Sequence, residues 1–239
     1  MVAPTGEVKR IADSLLERIL RRSYPAGLRL PPEATLADEF SCGRSTVREA
    51  LRYLADLGLV KSRRGSGVMV LDFEREGTPA LLPTYLKLGG FQNASSNLMR
   101  EMLQLRTLMA CQAVRLAADY ATPDKLSKAR EHLQQATQLE NDPAAHAINE
   151  LAMYRELVVA SGMWPAVWMV NSFWAPLSEL NAMFAPILGA VHPAFQDTMT
   201  TLFQHIEARQ ADAAVQQIND WFTMVDTPLL AKLEQLQQD

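Results

Sequence analysis

The sequence predicts a mainly α-helical protein in two parts. A head of three short helices is closed by a small β-hairpin, and an all-α antiparallel helical bundle follows. Three observations predict this. Apolar residues recur at helical spacing through most of the 239 residues. Only residues 59–71 read as strands, two short ones about the glycine turn Arg63-Arg64-Gly65-Ser66-Gly67. Charge is also uneven. Residues 1–72 hold 12 Lys/Arg and 9 Asp/Glu, a net of +3, whereas residues 73–239 hold 11 and 18, a net of −7. A basic head on an acidic body suits a nucleic-acid reader joined to a domain of another kind.

The head divides as follows. Val8, Ile11, Leu15, Ile19 and Leu20 form one stripe of a helix over 8–22, with Lys9, Arg10, Arg18, Arg21 and Arg22 off the stripe. Tyr24-Pro25-Ala26-Gly27 ends it. Pro31-Pro32 launches a short helix over 33–40, Ser41-Cys42-Gly43 is a turn, and a third helix covers 45–57 until Gly58 stops it. Strands are expected over 59–62 and 68–71, which makes residues 1–72 a winged helix-turn-helix.

Residues 72–79 are polar and break the pattern, so 73–90 is read as a linker with a short domain-joining helix and 91–239 as the bundle. Helices are expected over 81–88 and 98–121, the second with Leu98, Met102, Leu105, Met109, Val114 and Leu116 on its apolar side. Thr122-Pro123 and Asp142-Pro143 each pair a capping residue with proline at the first helical position, so a helix starts at each. The second of these ends near Gly162, the next covers 164–184 and is limited by Pro186, and the last two span 192–209 and 211–236. No apolar run reaches the length of a membrane span and no leader pattern opens the chain. Cys42 and Cys111 are far apart. Reduced thiols, a bacterial cytoplasmic and nucleoid-associated location and no membrane partner are expected.

The third helix has two faces. Val47, Leu51 and Leu54 suit packing, whereas Arg44, Ser45, Thr46, Arg48 and Arg52 lie toward its N-terminal end and face solvent. A helix N-terminus attracts phosphate through unpaired N–H groups, and arginine reads guanine bidentately in the major groove. Arg63 and Arg64, with Gly65, sit at the hairpin tip, placed for an adjacent minor groove or its phosphates. The competing explanation is a solvated amphipathic helix. The wing arginines and the spacing favour double-stranded DNA.

Leu28-Arg29-Leu30-Pro31-Pro32-Glu33, Leu36-Ala37-Asp38-Glu39-Phe40, Arg44-Ser45-Thr46-Val47-Arg48-Glu49-Ala50-Leu51, Gly58-Leu59-Val60 and Gly65-Ser66-Gly67-Val68 together resemble the GntR family of bacterial regulators. The resemblance implies operator contacts by Arg44, Ser45, Thr46 and Arg48, with Arg64 and Gly65 at the wing. Ala34 stands where that family usually has an arginine that helps hold DNA, and Gly43 where Ser or Thr is common.

Residues 79–235 resemble the FadR-type C-terminal domain of that family, through Leu105-Arg106, Arg115-Leu116-Ala117-Ala118, Ala160-Ser161-Gly162 and Gln210-Ala211-Asp212. Many members hold a divalent metal through an Asp-x3-His pair and two later histidines. Here Glu150 and Tyr154 fall where the pair belongs, and Thr201 and Thr223 fall near the other two. One carboxylate with three hydroxyls is a poor transition-metal set, so the resemblance implies a lost metal site and no cofactor. His132, His146, His192 and His205 lie on different expected helices, and only His205 is placed to approach the pocket. The resemblance to the fatty-acid branch implies a small acidic metabolite or acyl-CoA as effector, bound by Arg106, Glu150, Tyr154, Thr201 and Thr223. Arg106 suits an effector carboxylate or phosphate, or else a structural ion pair with Glu101 or Glu150. Nine methionines and four tryptophans of the bundle suit an irregular apolar cavity, or plain core filling. The expected protein is a homodimeric, ligand-responsive repressor without enzymatic activity. A metal-dependent carboxylate sensor of the same family and a helical interaction module without a DNA role are the alternatives.

Overall fold

Ile11, Ala12, Leu15, Leu16 and Ile19 of α1 (Gly6–Leu20) are buried, and this stripe is the floor of the head. The structure, a computed structural model, describes residues 4–63, 67–93, 96–139, 141–188 and 191–236. Leu36, Ala37 and Phe40 of α2 (Glu33–Phe40) and Val47, Ala50, Leu51 and Leu54 of α3 (Arg44–Asp56) close over that floor. Between the two helices Ser41 takes the left-handed conformation, φ 55°, and the Cys42 N–H donates to the Ala37 carbonyl at 2.9 Å. This reversal makes a tight helix-turn-helix.

The wing is an antiparallel pair, β1 (Val60–Arg63) and β2 (Gly67–Val70), registered Val60 to Val70 and Arg63 to Gly67. It lies one residue from the expected strand over 59–62 and takes Gly67, at φ 79°, into β2. Residues 27–30, read from sequence only as a connector, run along the free edge of β2. The Val70 N–H donates to the Leu28 carbonyl and the Leu30 N–H to the Val68 carbonyl, both at 2.8 Å. Arg64 and Gly65 of the expected wing tip lie outside the described residues.

The chain divides into two compact units between Leu88 and Gly89. Residues 72–88 therefore belong to the head, which corrects the expected boundary at 72 and the linker over 73–90. The reason is packing. Asp72 caps the four-residue α4 (Phe73–Glu76) by accepting from the Glu74 N–H. A 3-10 turn, Pro79–Leu81, then buries Leu81 in the head core, with Phe73 and Tyr85 against it. Gly58, at φ +78°, is what lets this segment approach, because a Cβ there would lie 2.0 Å from the Glu76 carbonyl oxygen. Helix α5 (Leu82–Asn93) follows.

The second unit is all α. Long α6 (Ser96–Tyr120) packs against α8 (Pro143–Ala160), α10 (Phe195–Glu207) and α11 (Ala211–Leu236). Helix α8 also packs against α7 (Ser127–Thr137) and α9 (Trp164–Leu188). Its core joins Val114, Ala117, Met153, Leu157, Met199, Phe203 and Ile218. Asp142 caps α8 as expected, accepting from the Ala145 N–H at 3.0 Å. Thr122 makes no capping bond, and a 3-10 turn, Pro123–Leu126, precedes α7. Pro186 does not limit α9, which continues to Leu188, and α10 starts at Phe195 rather than 192. Among the described residues no helix is long and apolar enough to cross a membrane.

Candidate DNA interface and effector cavity

With one side of α3 locked into the core, the other side is cationic. Arg44, Ser45, Arg48 and Arg52 are exposed and Thr46 is half-buried. Gly43 opens the helix with no side-chain cap, so the first N–H groups of α3 are not taken by a capping oxygen. Arg63 is exposed at the end of β1. Arg44, Arg52 and Arg63 make no ion pair among the described residues. Arg48 differs. Its Nε and Nη2 donate to the two carboxylate oxygens of Glu33, at 3.3 and 2.7 Å. This fork holds the Glu33 carboxyl below the usual carboxylate range, and the charge of Arg44 adds to it. Ala34, beside Glu33, is half-buried.

The bundle holds a cavity of about 100 Å³, walled mainly by Met99, Met102, Met109, Trp174, Leu177 and Phe184. Of the five expected effector residues, Arg106 and Tyr154 line it. Arg106 is ion-paired with Asp226 of α11, and its guanidinium lies 4.1 Å from the Phe222 ring centroid. The expected pairing with Glu101 or Glu150 is thus replaced by a partner 120 residues away. Burial pushes the Asp226 carboxyl above its ordinary range, against the lowering effect of Arg106. Asp226 faces a second, outer groove of about 520 Å³, bordered by Thr107, Asn219 and Thr223. The ion pair therefore stands where cavity and groove meet.

Glu150 touches the cavity only through Tyr154, whose hydroxyl donates to it at 3.4 Å. Burial, then the nearby Glu150 charge, raises the Tyr154 hydroxyl well above its ordinary value. Thr201 and Thr223 do not line the cavity, although Thr223 borders the outer groove with Asp226. Each donates to the carbonyl four residues back on its own helix, Asp197 and Asn219 respectively. Nor does His205 line the cavity, since its Nδ1 lies 2.7 Å from Gln210 Oε1. These residues do not fit a transition metal. A phenol held protonated by burial and two hydroxyls spent on backbone carbonyls leave Glu150 as the one anionic donor. Among the described residues no group of three or more His, Cys, Asp or Glu could hold a metal ion.

The family model for bacterial regulatory proteins of the gntR family matches residues 7–70, and that for the FCD domain matches residues 101–223. The chain belongs to the GntR family. It joins a gntR-type head to an FCD domain. It is 33% identical over 153 residues to an uncharacterized HTH-type transcriptional regulator of Mycobacterium tuberculosis, over 63% of this chain and 60% of that one. The Uxu operon transcriptional regulator of Escherichia coli is 33% identical over 53% of this chain and 46% of its own length. A fatty acid metabolism regulator protein of Erwinia tasmaniensis is 29% identical over 62% and 60%. This chain thus spans less than two thirds of each of these three relatives. The solved structure of Lar, which controls the expression of the Listeria monocytogenes agr system, matches the fold with TM-score 0.61 at 16% identity, covering 98% of this chain and 99% of that one.

Sequence reading missed Asp226 and Glu33 as partners of the two arginines. Glu33 stands beside Pro31-Pro32 at a helix start, where an acid is ordinary. Asp226 carries no local signal at all.

Proposed function

We propose that this regulator binds double-stranded operator DNA as a homodimer in the bacterial cytoplasm, with α3 in the major groove and the wing against the flanking backbone. The observation that carries this reading is the exposed row Arg44, Arg48 and Arg52 of α3, opposite a fully packed apolar face, with Arg63 exposed on the wing. Two copies would set two α3 helices on a two-fold-related site. Phosphate contacts supply salt-dependent affinity, and base-edge contacts supply discrimination.

The effector of this reading is an amphipathic acid, fatty-acid-like or acyl-CoA, with its tail among the methionines and its acidic end at Arg106. A relative named for fatty acid metabolism and the apolar walls support it. An incoming carboxylate must take the place of Asp226 on Arg106, and the outer groove gives Asp226 room to leave. No metal takes part. Effector binding lowers operator affinity, which makes the protein a repressor released by its ligand. A coupling of about 1–3 kcal/mol suffices.

The test is operator binding by Arg44→Ala and Arg52→Ala in the full chain. Loss of at least tenfold in affinity with an unchanged melting temperature supports the reading, and unchanged affinity and salt slope sink it. Decanoate and decanoyl-CoA, titrated against Trp174 fluorescence in a variant lacking the other tryptophans, test the effector class.

A further inference from the structure

Glu33, at the start of α2, is ion-paired with Arg48 of the face proposed to read DNA. An exposed acid beside a polyanion is a cost for affinity, because it repels phosphate and cancels one cation. Its geometry shows what it does instead. Nε and Nη2 of Arg48 meet the two oxygens of Glu33 side by side, so the guanidinium is gripped along one edge and its plane is set. Arginine has five N–H donors in a rigid fork, and this grip uses two. The opposite edge, one N–H of Nη2 and one of Nη1, keeps the parallel pair of donors that matches guanine N7 and O6. Among the described residues Arg44 and Arg52 have no such buttress, which leaves them to swing toward phosphates.

We infer that Glu33 is a specificity-determining positioning residue: by fixing Arg48 edge-on, it turns that arginine from a phosphate contact into a reader of one base pair in each half-site. This rests on the proposal that α3 enters the major groove. The pair has a further consequence at Ala34. With alanine next to Glu33, no second guanidinium on that turn of α2 competes for the carboxylate, so the grip on Arg48 is undivided. Because the pair is exposed, Arg48 by 70% and Glu33 by 34% of their side chains, it is expendable for folding.

The experiment selects binding sites from a random duplex pool with the full chain, in wild type and in Glu33→Gln, Glu33→Asp and Arg44→Ala. The wild type should enrich a two-fold-related motif. Glu33→Gln should lose the preference at one base pair per half-site, from about ten- to a hundredfold down to under about threefold. It should also bind non-specific duplex about eightfold more tightly at 0.1 M salt, with a slope steeper by about 0.9, the effect of one more phosphate neutralised. Glu33→Asp keeps the charge but shortens the reach, so it should lose the same base preference without the gain in non-specific affinity. Melting curves confirm the fold of each variant. A Glu33→Gln protein that keeps the wild-type preference at every position, or that weakens on all duplexes alike, overturns the inference while leaving the DNA reading intact if Arg44→Ala still loses binding. No motif from the wild type overturns the DNA reading, and this inference with it.

Discussion

Asp226 pairs with Arg106 and yet is held above the ordinary carboxylate range, because burial outweighs the attraction. The sign has a use. A carboxyl raised in the folded state costs stability when ionised, and that cost is relieved as pH falls through its folded value toward the unfolded one. Carbon-detected NMR titration of Asp226 should therefore place it above its usual range, and Arg106→Met should push it higher still by removing the lowering charge. A fall on that substitution would show that the two groups do not face each other in solution. Arg106 was legible from its neighbours in sequence, whereas Asp226 was not, since the two meet only when α6 and α11 pack. At Gly58 the fold requires glycine. Gly58→Ala must strain a positive φ and collide with the Glu76 backbone. We expect a loss above about 2 kcal/mol, combining backbone strain with forced displacement, read from thermal denaturation. A change within experimental error would refute the close approach of residues 72–77.

At the scale of elements, α3 and the wing were nearly complete in the sequence, because a 3.6-residue apolar period and a glycine hairpin are local signals. Their cationic side makes a graded prediction. Arg44→Ala, Arg52→Ala and Arg63→Ala should each lower the slope of log affinity against log salt by about 0.9 if each neutralises one phosphate. Unaltered slopes would assign those arginines to solvent. What escaped reading was non-local. The pairing of 27–30 along β2 depends on a fold-back that no period announces, and α9 passes Pro186 where proline ordinarily ends a helix. On α6, Ala110 lines the cavity and is 4% exposed. Ala110→Phe should fill the space, abolish the decanoate response and leave operator binding within twofold, at a cost of about 1–3 kcal/mol from overpacking. Retained decanoate affinity would place the effector elsewhere.

For the whole molecule, composition divided the chain correctly in kind but not in place. The charge contrast between halves survives the shift of boundary, since residues 73–88 bring Glu74, Arg75, Glu76 and Lys87, which cancel. The polar run at 72–79 looked like a tether because its burial depends on Gly58, and a lone glycine advertises only a helix stop. Of the cavity, the apolar lining was legible from the methionines of α6. The positions of the two threonines, outside the cavity lining, were not legible because alignment to a motif carries no account of which side of a helix a residue occupies.

The seating of residues 72–81 bears on how the protein can be dissected. A fragment ending at Asp72 would leave the floor under Leu81 open to water and Arg22 without Glu74, its acidic partner. Such a piece should melt lower than one ending at Leu88, and any weakness it showed on DNA would belong to the cut and not to its arginines.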